Sequence, residues 1–442
     1  MNVKSGNKRM TTAECEDTSV PIVNAPARWL IFGYLGLLLT LIGFAAPYIG
    51  LMDIPVAFFL KNKLHLSAEG VATFRLLAGI PLYLSFVFGF LRDSFNPFGI
   101  KDRGFLILFG ATSTVLYVVF VFIPVDYNSL LGAVLLLTMS FLFVVSAQSG
   151  LSAVIGRQLQ MSGQVSAVWN TFLYVPGLVG FFIGGYVSNH LEADRAGVAA
   201  HHLFALGAVV MAAITLFGFW KPAGIFNAIR GQDRALPSRR LSDIKRLLRH
   251  RPFYPAMAVW FLWSFAPGYQ TPLQFYLQNT LHASDAAFAD WNAIFAGSFI
   301  PPFLLFGLLA RKFSLRQILF WSTLVAIPQA IPLYFAHSVT GSFEAAVAMG
   351  LLGGVATGAY TALIIRSAPE GLEGTTVMMS GGLYFVAVRF GDLLGTWLYQ
   401  RLDGFGACII AITVVYLAII PVLMTVPRSV IDHRDEEGAA VA

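Results

Sequence analysis

The chain has 442 residues, of which 57% are hydrophobic and 12% charged, with a net charge of +6 and a mean hydropathy of +0.71. Soluble domains carry about 25% charged residues, so this composition excludes an ordinary soluble enzyme and requires much of the surface to face lipid. The basic excess suggests nucleic acid only until its positions are read, because the Lys and Arg residues are sorted between loops.

Residues 1–29 form a polar tail with no continuous apolar core, so no cleavable signal peptide is visible. Cys15 lies in that tail and Cys408 in an apolar segment, and two isolated cysteines build neither a disulfide framework nor a metal site. A membrane-crossing helix needs about 20 mostly apolar residues. By that measure the sequence predicts twelve spans, at 30–60, 70–91, 104–124, 129–154, 164–189, 201–220, 253–279, 287–310, 317–337, 343–366, 374–400 and 404–426. The first is too long for one straight crossing, and Pro47, Gly50 and Pro55 predict a bend; the seventh carries Pro267, Gly268 and Pro272 at a similar depth.

The two halves repeat. Residues 55–67, PVAFFLKNKLHLS, align without a gap to 272–284, PLQFYLQNTLHAS, with seven of thirteen positions identical. Gly89 precedes the loop after span two as Gly307 precedes the loop after span eight, and Arg157 ends span four as Arg366 ends span ten. Gly163, Gly180 and Gly184 match Gly374, Gly391 and Gly395 at one constant offset. The spaced glycines, with Gly350, Gly354 and Gly358 in span ten, are expected to let helices approach closely. The expected fold is an all-α membrane protein of twelve transmembrane helices in two pseudo-symmetric six-helix bundles, 30–220 and 253–427. Such repeats place a carrier's binding site between the halves.

The N-terminal tail, the loops that follow even-numbered spans and the C-terminal tail (428–442) hold 23 of the 29 basic residues; the opposite loops hold Lys61, Lys63, Arg195 and Arg401. That imbalance predicts cytoplasmic termini in a plasma membrane, the inner membrane in a bacterium. The connection 221–252 is hydrophilic. Leu241, Ile244, Leu247 and Leu248 recur at helical spacing between Lys245, Arg246, Arg249 and Arg251, which predicts an amphipathic helix at the membrane surface tethering the halves.

Ionisable residues inside spans are few. Each costs about 2.5–3.5 kcal/mol on insertion scales and is expected to be paired, cavity-facing or functional. Asp53 lies roughly 12 Å inside the end of span one and Arg75 roughly 10 Å into span two, so an Asp53–Arg75 pair is expected. The second half carries Gln270 and Asn292 instead. Arg389 lies near the middle of span eleven with Asp392 three residues on, on the same helix face. A local Arg389–Asp392 ion pair is one reading; attraction of an anionic solute by Arg389 is the other.

Six plus six spans, an internal repeat and a basic central loop resemble the major facilitator superfamily. Gly89-Phe-Leu-Arg-Asp93 followed by Lys101-Asp-Arg103 resembles that family's loop motif between spans two and three, stretched here by residues 94–99. Residues 50–55, Phe59-Leu-Lys61, Leu66-Ser67, Pro81 through Gly89 with Asp93, and 369–375 are similar to the folate–biopterin transporter branch. The resemblance implies alternating access by a chain that works as a monomer. It sets spans two and eleven against each other, so that Asp53, Arg75, Arg389 and Asp392 would form a coupling and outer-gate cluster. Asp93 and Arg103 would hold the inner gate. It also lines the cavity with spans one, four, seven and ten: Gln148, Tyr269, Gln270, Gln274 and Tyr360, with Asn170, Tyr174, Trp291 and Tyr384 from flanking spans. Aromatic faces beside amides suit a flat heteroaromatic solute.

The expected function is secondary transport of a small organic solute such as folate or a pterin, coupled to protons or a counter-solute. The alternatives are a broader permease for peptides, cell-wall fragments, nucleotide-like metabolites or drugs, and a non-transporting membrane sensor or assembly protein. No phosphate loop, metal-ligand spacing or nucleophile elbow is present in the sequence, so no enzyme activity, cofactor or metal is expected, and no nucleic-acid partner.

Overall fold

A computed structural model describes residues 25–48, 56, 60, 64–66, 68–123, 126–193, 196–227, 229, 240–269, 271–402 and 404–435. Among them nine helices are long and apolar enough to cross a membrane. They correspond to expected spans one, three, four, six and eight to twelve. Span five is the continuous helix Ser162–Ala193.

Spans two and seven are broken. Span two runs through Ala68–Ala78, Ile80–Tyr83 and Ser85–Ser94, with Pro81 at the start of the middle piece. Span seven runs through Phe253–Ser264, Thr271–Phe275 and the π-helical turn Tyr276–Thr280. Its break contains Gly268 at φ 107°, a conformation that needs glycine. Gly391 and Gly395 of span eleven lie against that break, and a Cβ on Gly395 would meet the Gly268 amide. The connection between halves forms a helix over Arg240–Arg249, with Leu247 buried and Leu248 exposed.

The sequence repeat is a structural repeat. His65 and His282 occupy the same column of the alignment, and both adopt positive φ, 50° and 55°. The Leu66 amide donates to the Leu60 carbonyl at 3.1 Å, and the Ala283 amide donates to the Leu277 carbonyl at 2.9 Å, closing the same loop twice. Spans two and eight end alike: Phe95 and Phe313 are extended, and their amides bond the carbonyls of Leu91 and Leu309.

One hydrophobic core centres on Leu35, Leu137 and Met211 of the first half and takes in Ile364, Ile365 and Leu372 of the second; another centres on Trp291, Phe303 and Phe306. Lipid offers no hydrophobic drive for helix association, so close backbone approach and polar ties take that role. The span-ten stripe does this: Gly350, Gly354 and Gly358 face Ser298, Pro302 and Phe306 of span eight, the helices Asp285–Ser298 and Ile300–Lys312.

Candidate functional site

On the face where the basic loops gather, the halves are tied by charge. Asp93, in the last turn of span two, reaches the start of span eleven, the helix Glu373–Arg401. Its carboxylate accepts from the Gly374 amide at 3.3 Å, the Thr375 amide at 2.7 Å and the Thr375 hydroxyl at 2.6 Å. It thus caps a helix of the opposite half, where the helix dipole favours negative charge. Behind it lies Arg92, fully buried, with Nη1 2.6 Å from Asp93 and Nε 2.5 Å from Asp102, itself fully buried. A Cβ on Gly150 would fall on this guanidinium, so span four leaves room for it. A second tie joins Arg157 at the end of span four to Glu373 at 2.8 Å.

Arg103 does not join this crossing contact. Its guanidinium donates to the carbonyls of Gly218 at 3.0 Å and Phe219 at 2.8 Å, closing the end of span six within its own half, and lies over the Phe226 ring. The motif's second charge therefore braces one half, and Arg92 takes the place beside Asp93. Arg92, Asp102, Arg157 and Glu373 were given no site role from sequence; two acids, one and ten residues after Arg92, are the signal that could have found the first two.

Deeper between the halves, Asn170 is buried and donates to the Ser166 carbonyl at 2.9 Å and to Thr361 of span ten at 3.2 Å, while Ser166 donates to the Gly358 carbonyl at 2.7 Å. Gln148 is also buried and donates to Ser152, one turn on, at 2.9 Å. Tyr174 packs on Phe299 and Phe303 of span eight, and Tyr269 on Trp291 and Phe295. Tyr384 of span eleven is 41% exposed and packs edge-on against Phe385. Gln274 is half-buried on the second piece of span seven.

Two further residues expected at the cavity make buried hydrogen bonds. Trp291 is fully buried, and its indole N–H donates to the Ser342 carbonyl at 2.9 Å. Tyr360 is buried and shares a 2.7 Å hydrogen bond with Thr323. Both belong to the second half's core.

Of the expected coupling cluster, Asp53 lies outside the described residues, as does Gln270 of the cavity set. Arg75 and Arg389 are exposed on their helices. Asp392 is engaged with span seven rather than with Arg389: its carboxylate accepts from the Thr271 amide and hydroxyl, both at 2.9 Å. Asp392 thus caps the helix that restarts after the break, and Arg389 remains exposed beside it.

A family model described as the BT1 family matches residues 48–332. No curated relative matches the sequence. Among solved structures, the E. coli fucose:proton symporter FucP is similar with a TM-score of 0.69 at 12% identity, over 90% of this chain and 98% of that one. The human organic anion transporter MFSD10 (TETRAN) gives 0.60 at 16% identity, over 90% and 100%. The proton:xylose symporter XylE gives 0.65 at 13% identity, over 93% and 98%. At these identities the likeness establishes the fold, which is that of the major facilitator superfamily.

Proposed function

The chain belongs to the BT1 family, and from that premise we propose that it is a secondary active transporter moving a small organic solute by alternating access. The observation that carries this reading is the Asp93 cap on span eleven, a polar tie between halves made of groups that water can replace when the halves part. The basic face is cytoplasmic, with both termini on that side, and the described contacts hold it shut. The halves are the six-helix bundles 30–220 and 253–427, and the chain works as a monomer.

The solute is an anionic heteroaromatic such as folate or a pterin. Arg389, exposed on span eleven, attracts its carboxylate. Tyr174, Tyr269 and Tyr384 offer ring faces and hydroxyls from three spans, while Asn170, Gln148, Gln270 and Gln274 supply edge donors and acceptors once the halves separate. Trp291 and Tyr360 shape the wall behind them. A proton arriving at Asp392 weakens its hold on Thr271 and frees the break in span seven to bend, which couples protonation to the position of the outer half of that helix. Asp53 and Arg75 complete the outer cluster. Labelled folate or biopterin uptake into proteoliposomes tests this. A proton gradient should stimulate uptake, with loss in Arg389→Ala and loss of the gradient effect in Asp392→Asn. Uptake by Arg389→Ala equal to that of the unaltered protein would sink the assignment.

A further inference from the structure

The repeat that places Asp93 at the start of span eleven predicts a partner carboxylate at the start of span five. The second half does not supply it. Gly89 aligns with Gly307, so Asp93 aligns with Arg311 and Arg92 with Ala310. Arg311 is an exposed cation and cannot accept from a helix N-terminus.

The C-terminal tail fills the place. After the short helix Arg428–Ile431, Asp435 turns back into the protein and is only 3% exposed. Its carboxylate accepts from the amides of Gly163 and Gln164, both at 3.0 Å, at the start of span five. These two residues align with Gly374 and Thr375, which Asp93 holds at the other pole. The Asp435 amide donates at 3.0 Å to the carbonyl of Ala310, the residue aligned with Arg92. Arg366, aligned with Arg157, donates to Asp435 at 2.9 Å and to Ser162 at 2.6 Å, and fastens the tail through the His433 carbonyl at 2.7 Å. Span five's start and span ten's end thus meet on the Asp435 carboxylate, and span eight's end on its backbone amide.

We infer that Asp435 is a positioning residue of the transport cycle: the C-terminal tail is a removable latch that replaces, from outside the repeat, the gate carboxylate missing from the second half. This rests on the alternating-access reading above. Asp93 is built into a spanning helix, whereas Asp435 follows the four-residue helix Arg428–Ile431, outside the spans. Tail residues Ser429, Val430, His433 and Arg434 form one wall of a cavity of about 410 Å³ whose other wall includes Arg157 and Arg366, so the tail borders open space. Burial pushes the Asp435 carboxyl above the ordinary carboxylate range against the pull of Arg366 and the two amides, so the buried charge is held only while those donors stay in place.

The test uses spin labels on cysteines replacing Phe95 and Phe313, aligned and exposed residues on the basic face of the two halves. The background is Cys15→Ala, Cys408→Ala in lipid nanodiscs, and electron–electron distances report opening without any solute. Asp435→Asn, a chain ending at Asp432, and Asp93→Asn are each expected to raise the long-distance population roughly tenfold. Adding Arg311→Asp to the shortened chain is expected to restore the short distance. Distances unchanged in both tail variants, while Asp93→Asn lengthens them, would overturn the latch alone. Distances unchanged in all three would overturn alternating access on this face and the latch with it.

Discussion

The Asp93 carboxylate lies 2.7 Å from the Thr375 amide, 282 residues away, so the end of span two serves as the N-cap of a helix in the other half. A charged cap of this kind is stronger than a neutral one and yet is made of groups that water can satisfy. Losing a hydrogen bond to a charged group costs about 1.5–3 kcal/mol, which is roughly one to two orders of magnitude in a two-state balance. Asp93→Ala is therefore expected to open the basic face. A cysteine at Thr361, part-buried where the halves meet, should then react at least about tenfold faster with a maleimide added from that side.

Gly89 permits the approach that Asp93 secures. A Cβ there would stand 2.6 Å from the Gly374 carbonyl oxygen and 2.8 Å from the Thr375 Cα, and backbone atoms cannot swing aside. Gly89→Ala should hold the halves apart, raising the same maleimide reactivity. Its thermal stability should stay close to that of the unaltered protein, because the clash lies between halves and not within one. Unfolding at a much lower temperature, without faster labelling, would refute this placement of the strain.

Arg92 carries a different load. It is fully buried between Asp93 and Asp102, and removing one partner of such a group leaves uncompensated charge, at about 3–5 kcal/mol. Arg92→Ala should lower the melting temperature strongly in detergent. Arg92→Lys should rescue little, since one ammonium cannot span two carboxylates as a guanidinium does. Adding Asp102→Asn to Arg92→Ala should recover part of the loss, and a fully additive cycle would argue against the pair.

Apolar runs, basic-loop sorting and the 55–67/272–284 repeat were enough to read the fold, because lipid imposes length and the repeat imposes symmetry. The repeat even carries its loop geometry, as His65 and His282 show. Asp93 was legible through its motif. Arg103 was not, because neighbouring charges in a motif can turn to different helices, and only packing decides which. Trp291 and Tyr360 were read as cavity candidates, and each bonds a polar atom within the core, which composition cannot show. Asp435 lay in a polar tail with no periodicity, and its only sequence trace is the mismatch of Asp93 with Arg311.

A distinction between bonded and exposed aromatics separates two substitutions. Trp291 uses its N–H on Ser342, so Trp291→Phe removes a buried hydrogen bond and should cost about 0.5–1.5 kcal/mol of stability with solute affinity unchanged. Tyr384 is exposed, and exposed substitutions usually change stability by within about 0.5 kcal/mol. Tyr384→Phe should leave the melting temperature in place and shift KM in uptake. Reversal of this pattern would move the binding region away from Tyr384.

His250 gives the closed basic face a pH dependence of definite sign. Burial, then the nearby Arg157 and Arg246, hold its pKa below the ordinary histidine value, and the Ser367 carbonyl opposes them. A depressed imidazole pKa means that the folded, closed state binds fewer protons than the state in which His250 meets water. The stability this neutral form supports is present above the ordinary value of about 6.5 and is lost as pH falls through it. Acidification also places a new positive charge beside Arg157, the residue that ties span four to Glu373. The melting temperature should therefore fall between pH 7.5 and 5.5 in the unaltered protein, and fall less in His250→Gln, which keeps a donor and cannot titrate. Identical pH profiles for the two proteins would remove His250 from this role.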